Sequence, residues 1–438
     1  MYESNKFSRV YHLRQVTPMW HFQPKEKRCC LRASEVKPKL DRFLRKKGLT
    51  LKGNGNVGQK SFDYKLSFVA PDENPVLDKF KSPLFFGNTR KKNDDSRNDK
   101  QAVFYKNEII VNIFSFNESV LNEIDKNIRE FFLTTSFGTR QDKGFGCFVI
   151  SDRTSDTRSD SVILEEVASY VFNVRLPKSP EDCRQENEEC KLGRVFDYIL
   201  YFHKMIRSGV NESEQYYKSF MYHYAKYLGE TWDKPVIRYH FELFNKNDNK
   251  YKSQNLNKEK YRSSKLLFRD ALGLATDQIW SISSDGKKIK ARIKISGRIK
   301  TREPNNYDIV NRFKSPISYR PHFDTENDIF KVYIILDQNS LNKFIEKNAS
   351  FVISRNPDKD QNGNIVKSYA RLFEMKIYDK FNLENYLDYV KNYCDKVRGK
   401  GENLSGGKNV NSIIDDIFCG DRDIQFHKIA KQQKKDGE

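Results

Sequence analysis

A short internal repeat does most to limit how this chain can fold. The string Phe-Lys-Ser-Pro at residues 80–83 recurs at residues 313–316. Each copy leads to a hydrophobic segment, 103–116 in the first case and 330–336 in the second, and a similar helix start follows each segment. A repeated order of features is typical of a duplicated unit. The sequence therefore predicts two related domains in tandem, with chance similarity of two short strings as the alternative.

The first third of the chain predicts the order strand, helix, strand, strand, helix, strand. Ser34 is expected to cap the first helix, whose apolar stripe consists of Val36, Leu40, Phe43 and Leu44. This order is that of a ferredoxin-like domain. Further along, residues 194–208 and 213–228 carry apolar side chains at helical spacing and predict an inserted pair of helices.

We therefore expect an α+β fold of tandem ferredoxin-like (RRM-like) domains with a helical insertion. The predicted boundaries are 1–165 for an N-terminal domain with a glycine-rich loop, 166–398 for a second domain with the insertion around 191–230, and 399–438 for a polar basic tail. A length of 438 residues also exceeds what one core organises, which favours more than one domain.

The charge of the chain indicates what it binds. It has 79 Lys and Arg residues against 59 Asp and Glu residues, a formal net charge of +20. An excess of this size is typical of proteins that bind phosphate, so nucleic acid is the leading partner, ahead of an anionic membrane. Eighteen apolar residues never run together, and the first ten are polar, so we expect a cytoplasmic protein without a membrane partner.

The cysteines do not predict a metal site. There are seven, and none of their spacings has the form CxxC or supplies a Cys/His zinc set. Cys183 and Cys190 are the nearest to a pair. We expect reduced, structural thiols, no metal and no cofactor.

Residues 25–47 form the first basic segment, with ten Lys and Arg residues against three acidic ones. On the predicted helix, Lys39, Arg42, Arg45 and Lys46 fall away from the apolar stripe. Phosphates could bind there, helped by the free backbone N–H groups at the helix start near Ser34. A solvated helix face explains the segment equally well.

Residues 287–302 form the second basic segment, with eight basic residues and no acidic one. As a strand, the segment places Lys288, Lys290, Arg292 and Lys294 on one face and apolar residues on the other. Like charges at this pitch repel each other unless a polyanion neutralises them. Gly297 is expected to turn the strand into a basic hairpin. The alternative is an edge strand that lysines protect from aggregation.

A glycine-bearing loop at residues 137–146 is the third candidate. Gly138, Gly144 and Gly146 allow close approach of the backbone to a ligand, and Arg140 and Lys143 can bind phosphate. The loop has neither the P-loop pattern nor the GxGxxG pattern. A simple glycine hairpin is the alternative.

The loop and the N-terminal segments resemble a known family. The form G-x-R-x-x-K-G-F-G at residues 138–146 resembles the signature loop of RAMP proteins, the repeat-associated subunits of CRISPR effectors. The strings VTPM (16–19), LRASEVK (31–37) and LDRF (40–43) resemble the TPL and IRxxSIKGxLR elements of the first Cmr subunit of type III-B systems. SPLFFG at 82–87 is similar to the LFG element of that family. The matches span roughly residues 8–150.

The resemblance implies RNA binding inside a guide-RNA ribonucleoprotein, next to other effector subunits and without cleavage of guide or target RNA. It places the basic helix start of the family on Arg32, Ser34 and Lys37, and its glycine loop on the five residues Gly138, Arg140, Lys143, Gly144 and Gly146. Two departures stand out: Pro38 replaces a glycine, and Trp20-His21-Phe22 replaces the glycines after the Thr-Pro element.

Three functions remain open on the sequence. The favoured one is a non-catalytic RNA-binding subunit of a CRISPR type III-like effector, with no catalytic residue. The second is a metal-independent RAMP endoribonuclease that processes CRISPR repeat RNA, since some RAMP proteins cleave RNA with a histidine near the first strand, where His12 and His21 lie. The third is a protein scaffold whose basic surface serves solubility.

Overall fold

The structure is a computed structural model that mixes helices with antiparallel sheets. The residues it describes are 5–20, 30–49, 61–71, 76–78, 102–175, 188–212, 215–241, 258–274, 277–284, 287–300, 307–310, 312–347, 349–356, 358–359, 365–367, 372–400, 404, 413–420 and 424–430.

Ten α-helices lie within this described part of the chain: α1 Ala33–Lys46, α2 Glu118–Thr134, α3 Asp160–Val167, α4 Glu188–Arg207, α5 Phe220–Tyr227, α6 Asp233–His240, α7 Lys258–Ser263, α8 Gln338–Ile345, α9 Leu383–Gly399 and α10 Ile413–Cys419. A short 3-10 helix covers Arg269–Leu272. None of the described helices is long and apolar enough to cross a membrane.

The strands of the described residues are β1 Ser8–Gln15, β2 Met19–Trp20, β3 Lys65–Val69, β4 Val76–Asp78, β5 Ala102–Phe104, β6 Ile109–Phe114, β7 Phe148–Ile150, β8 Tyr170–Val174, β9 Val210–Glu212, β10 Gln215–Tyr217, β11 Leu266–Leu267, β12 Asp277–Ser284, β13 Lys287–Lys300, β14 Tyr307–Val310, β15 Ile317–Asp324, β16 Ile329–Leu336, β17 Ser350–Arg355, β18 Asp358–Lys359, β19 Ile365–Lys367, β20 Phe373–Ile377 and β21 His427–Lys428.

The N-terminal sheet has the strand order β3-β6-β1-β7, and each neighbouring pair is antiparallel. Leu13 of β1 lies opposite Ile109 of β6, and Leu66 of β3 lies opposite Ile113. These side chains share one core with the apolar residues of α1 and α2, so the two helices cover one face of the sheet. The predicted order of strands and helices in the first third is confirmed here.

Additional strands interrupt this order. β2 follows β1, and β4 and β5 lie between β3 and β6 in the sequence; together they form a separate three-stranded sheet in the order β2-β5-β4. The pairing of Met19 with Val103 joins the segment after the first strand to the segment before β6. Such additions were not predicted from the sequence.

The chain divides into two compact units. The first contains residues 1–200, 318–335 and 420–438, and the second contains 201–317 and 336–419. A sheet with the order β15-β16-β8-β21 completes the first unit, and a sheet with the order β11-β20-β17-β13-β12, in which β14 also pairs with β13, forms the second.

The tandem repeat itself stays a prediction. The second Phe-Lys-Ser-Pro copy is followed directly by β15, and the predicted strand, β16, comes after it. Helix α8 then begins at Gln338, with Asp337 as its N-cap. The first copy, residues 80–83, lies outside the described residues. The two sheets also differ in strand order. The N-terminal sheet has the order β3-β6-β1-β7, whereas in the second sheet β12, β13, β17 and β20 are neighbours in the order in which they occur along the chain.

The helical insertion is confirmed in part. α4 covers the first predicted helix, whereas the second, α5, begins only at Phe220. The residues before it form the antiparallel hairpin of β9 and β10, and the Ser219 side chain then caps α5 by accepting a hydrogen bond from the backbone N–H of Tyr222. The predicted helix over 213–228 therefore starts too early, because Gln215–Tyr217 pair as a strand with Val210–Glu212. Four of the cysteines in the described residues are free thiols: Cys30, Cys147, Cys394 and Cys419.

Candidate nucleic-acid interface

Helix α1 begins two residues earlier than a cap at Ser34 predicts. Its N-cap is Arg32, in an extended conformation, and the Arg32 carbonyl accepts hydrogen bonds from the N–H groups of Glu35 and Val36, both at 3.0 Å. The Arg32 side chain makes no capping hydrogen bond. Ser34 therefore lies exposed in the first turn and is not the cap, since the cap is set by the backbone at Arg32.

The solvent side of α1 carries positive charge, as expected. Val36, Leu40 and Leu44 are fully buried on one side of the helix. Arg32 and the later cations Arg42, Arg45 and Lys46 are exposed. The apolar stripe at helical spacing thus orients the basic residues outward.

Two other lysines of α1 bond within the fold. Lys37 Nζ donates to the carbonyl of Phe62 at 2.8 Å and lies 3.8 Å from the centroid of the Tyr64 ring. Lys39 Nζ donates to Glu35 Oε1 at 2.8 Å and to the carbonyl of Ser136 at 3.0 Å. Lys39 is therefore not on the open solvent side as predicted, and an RNA contact by Lys37 stays a prediction.

The glycine loop approaches its own chain closely. Gly146 has φ +68°, and a Cβ there would lie 2.0 Å from the carbonyl oxygen of Phe137. Gly138 has φ +78°, and a Cβ there would lie 2.6 Å from the carbonyl oxygen of Trp20. At the buried Gly144 a Cβ would lie 2.9 Å from Pro321. Internal packing thus requires glycine at these positions. Approach of a ligand to the loop backbone stays a prediction.

Glu35 joins the start of α1 to the loop. Its Oε1 accepts hydrogen bonds from the Gly138 backbone N–H at 3.0 Å and from Gln141 Nε2 at 3.2 Å, in addition to Lys39. The structure thereby brings together two segments that the sequence singled out separately. Arg32 and Ser34 are close to Glu35 in the sequence, and Gly138 is its partner in the loop.

The cations of the loop are half-buried. Arg140 has φ +59° although it is not a glycine, and burial lowers the pKa of its guanidinium. Lys143 Nζ lies 5.5 Å from the centroid of the Tyr319 ring. Beside it, the Tyr319 N–H donates to the carbonyl of Asp142 at 3.3 Å, which ties the loop to β15.

The second basic segment forms a single strand rather than a hairpin of its own. β13 runs from Lys287 to Lys300 without a turn at Gly297, because Gly297 lies opposite Val310 of β14 and Phe351 of β17. The hairpin partner of β13 is β12, which precedes it in the sequence. The prediction of a turn at Gly297 was wrong.

The alternating pattern of β13 is present wherever its side chains are described. Ile293 and Ile295 are fully buried, and Lys294 between them is exposed. Lys288, Lys290 and Arg292 occupy the alternate backbone positions that precede Lys294, opposite Ser283, Ser281 and Ile279; their side chains lie outside the described part. Ile293 and Lys294 pair with both β12 and β17, so this part of β13 is not an edge strand.

Comparison with known families decides the identity. A family model described as the Cmr1 N-terminal domain matches residues 7–210, and a model described as the Cmr1 C-terminal domain matches residues 216–412. The chain belongs to the Cmr1 family. It is thus a Cmr1-like RAMP subunit of a CRISPR type III-B effector. The α1 segment and the glycine loop lie in the N-terminal match, and β13 lies in the C-terminal one.

Comparisons with individual proteins say less about this chain than the Cmr1 family models do. No curated protein matches the chain. A crystal structure of Cmr1 from Pyrococcus furiosus in its apo form is 12% identical, covers 80% of this chain and 98% of its own, and gives a TM-score of 0.29. A TM-score of this size carries no argument about the fold.

Two residues of the Cmr1-like site were missed in the sequence. These residues are Glu35, an acid within a basic segment, and Arg320. Arg320 is buried, and its Nε and Nη2 donate to the carbonyl of Thr134 at 3.0 and 2.7 Å. It thereby binds the end of α2 just before the glycine loop. Neither has a local signal, since both act on residues far away in the sequence.

The side chain of His12 pairs with the acidic side chain of Asp152. Its Nδ1 lies 3.0 Å from Asp152 Oδ1, its backbone N–H also bonds to the Asp152 carboxylate, and its side chain is 41% exposed. This geometry orients an imidazole that remains open to solvent. His21, the other predicted candidate, lies outside the described residues.

Proposed function

We propose that this Cmr1-family chain binds guide or target RNA through phosphate contacts, without cleaving it, as part of a type III effector. The observation that supports this best is the junction held by Glu35, which joins the start of α1, a helix with exposed cations, to the glycine loop. A rigid basic surface of this kind binds phosphate without reading bases. Base pairing between guide and target then supplies sequence specificity.

The alternating strand β13 supports the same function in the second unit. Lys294 is exposed above a buried apolar face, and three further cations occupy equivalent backbone positions. A row of cations with the pitch of a strand suits a polyanion, because phosphates relieve the repulsion between neighbouring lysines. Arg32, Arg42, Lys294 and the β13 cations before it are therefore the proposed RNA contacts, with Arg140 and Lys143 at the loop.

The remaining features of the proposal follow from the family. We propose that other effector subunits adjoin the chain, that it works in the cytoplasm against foreign nucleic acid, and that its halves are related ferredoxin-like domains with boundaries near residues 165 and 398. The strand order β3-β6-β1-β7 of the N-terminal sheet supports the first of these domains.

Metal-independent RNA cleavage is the second candidate function. The contact between His12 Nδ1 and Asp152 favours it, because a carboxylate that orients one ring nitrogen leaves the other available for proton transfer. The position of His12 within β1 also agrees with the resemblance to RAMP nucleases.

Salt-dependent RNA binding tests the proposed function. A variant with Lys288, Lys290, Arg292 and Lys294 all changed to Gln should bind unrelated single-stranded RNAs more weakly, and its log–log salt slope should fall by about 3. A control variant with the same change in charge has Gln in place of Lys126, Lys376, Lys391 and Arg398. These four residues pair with acidic side chains. Parent-like affinity and slope in the first variant would exclude β13 as a phosphate track.

A further inference from the structure

An aromatic pocket lies in the second unit, and none of its lining residues belongs to the basic segments. Its volume is about 220 Å³, and its lining includes Tyr216, Tyr217, Lys218, Phe220, His223 and Tyr393. Pockets for drug-sized ligands are larger, about 300–1,000 Å³. This one therefore suits a single planar ring system.

The pocket walls are aromatic and are held in place by one another. The Tyr393 ring centroid lies 5.7 Å from that of Phe220 and 5.2 Å from that of His223. Phe220 is buried, whereas Tyr216 is 49% exposed and forms an accessible side of the pocket. Burial lowers the pKa of His223, followed by the effect of Lys218 and Lys226, so its neutral imidazole can donate one hydrogen bond and accept another. A heteroaromatic ring with polar edges fits such walls.

A cluster of charges adjoins Tyr216. Lys234 Nζ lies 5.9 Å from the centroid of the Tyr216 ring. Burial and then Arg269 lower the pKa of Lys234 to about 8, with Arg238 and Arg207 acting in the same direction, so these cations lie within electrostatic range of one another.

Among the side chains that the structure describes, the cluster has more cations than acids. Asp270 pairs with Arg207 at 3.5 Å and with Arg269 at 3.4 Å, and Asp233 accepts a hydrogen bond from the Arg269 N–H at 3.2 Å. Four cations thus surround two carboxylates. In addition, the buried Nε of Arg238 makes no hydrogen bond with any described residue. An anion that enters beside Tyr216 would neutralise the excess charge and supply the missing acceptor.

We infer that the pocket and the cation cluster together bind one nucleotide, with the base among the aromatic rings and the phosphate beside Lys234 and Arg238. Tyr216 belongs to both parts and stacks on the base. The nucleotide is either a free nucleoside monophosphate or a splayed-out residue of an RNA chain, and only the second source depends on the proposed function.

Equilibrium dialysis of the full-length protein with AMP and with adenosine tests the site. Tyr216→Ala should weaken binding of both ligands about tenfold, because a base loses its stacking partner. Lys234→Met should weaken AMP about tenfold and leave adenosine nearly unchanged, because adenosine has no phosphate. Tyr227→Ala, which removes a 72% exposed tyrosine of α5 outside the pocket lining, should bind both ligands like the parent.

Competition identifies the source of the nucleotide. Displacement of AMP by a short RNA shows that the site takes a residue of an RNA chain, and AMP binding that RNA does not disturb shows a site for free nucleotides. No saturable AMP binding at millimolar concentration, or AMP binding that both Tyr216→Ala and Lys234→Met leave unchanged, overturns the inference. A protein that binds AMP at Tyr216 but has no affinity for RNA keeps this site and refutes the proposed function.

Discussion

The carboxylate of Glu35 on α1 accepts a hydrogen bond of 3.0 Å from the backbone N–H of Gly138, 103 residues later in the chain. The same oxygen accepts from Lys39 Nζ at 2.8 Å. One acidic side chain thus determines how the basic helix meets the glycine loop.

Replacing Glu35 should therefore damage both stability and RNA binding. Glu35→Ala leaves the Gly138 N–H without its acceptor and removes one of the acceptors of the Lys39 ammonium, which should lower the free energy of unfolding by about 2 kcal/mol. RNA affinity should fall as well, because the loop loses its fixed position beside α1. Urea denaturation and filter binding measure the two effects.

Glu123→Ala, which breaks the exposed pair with Lys126, is the control and should change stability by less than about 0.5 kcal/mol. Equal effects of both variants would contradict the role of Glu35.

Gly146 should tolerate no side chain. A Cβ at this position would lie 2.0 Å from the Phe137 carbonyl oxygen, in addition to the cost of positive φ. We expect Gly146→Ala to destabilise the protein by more than about 3 kcal/mol or to prevent folding. Gly48→Ala is the matched control: it has φ +90° with nothing within 4 Å of the added Cβ, and should cost only about 1 kcal/mol. Thermal denaturation compares the two. Equal losses would mean that backbone conformation alone, and not packing, requires Gly146.

The parts of the fold that follow from local periodicity could be predicted. The apolar stripe of α1 and the alternation of β13 both report which side of an element is buried, and Leu40 and Ile293 are fully buried as expected. The order of elements in the N-terminal sheet followed from the same patterns.

Features that depend on distant residues could not be predicted. Gly297 has the composition of a turn residue, yet β14 and β17 pair with it on both sides and keep it extended. The N-cap of α1 depends on the backbone of Arg32 and not on the Ser34 hydroxyl. The candidate site was located by its motifs, whereas its connecting residue, Glu35, acts through a partner that no local pattern indicates.

Arg320 should be a structural residue of the first unit. It is 6% exposed, and burial lowers the pKa of its guanidinium, yet it donates twice to the carbonyl of Thr134 at the end of α2. Arg320→Met should cost about 3 kcal/mol, since it leaves this carbonyl without donors. Arg153→Met, at an exposed position, should change stability by less than about 0.5 kcal/mol in the same urea titration. A parent-like Arg320→Met would show that another donor, such as water, replaces the guanidinium.

Asp324 should make the free energy of unfolding depend on pH. The hydrogen bond from Lys331 Nζ at 2.8 Å, followed by that from Asn327, holds the pKa of Asp324 well below its usual range. A carboxyl with a lowered folded-state pKa stabilises the protein fully above its unfolded-state pKa of about 4, and this stabilisation is lost as pH falls toward the folded-state value.

Asp324→Asn should consequently be less stable than the parent at neutral pH by about 1 kcal/mol, and the difference should shrink below about pH 4. Urea unfolding at several pH values measures it. Asp379→Asn, where the carboxylate is 57% exposed and 3.8 Å from Lys376, should show no comparable pH dependence. A difference between parent and Asp324→Asn that stays constant with pH would refute the ion pair as its cause.

His12 should not make the protein a nuclease. Cleavage of RNA by general acid–base chemistry needs one group to take the proton of the 2′-hydroxyl and another to protonate the leaving oxygen. The titratable side chain that bonds to His12 is Asp152, and its carboxylate is occupied by the His12 ring and backbone N–H. We therefore expect repeat RNA to stay intact when it is incubated with the protein in EDTA, and gel electrophoresis of labelled RNA measures this.

His12→Ala should bind RNA as the parent does, because the His12 ring makes none of the proposed phosphate contacts. Cleavage by the parent that His12→Ala and Asp152→Asn both abolish would establish the endoribonuclease in place of the binding subunit, since a contaminating nuclease would be unaffected by either substitution.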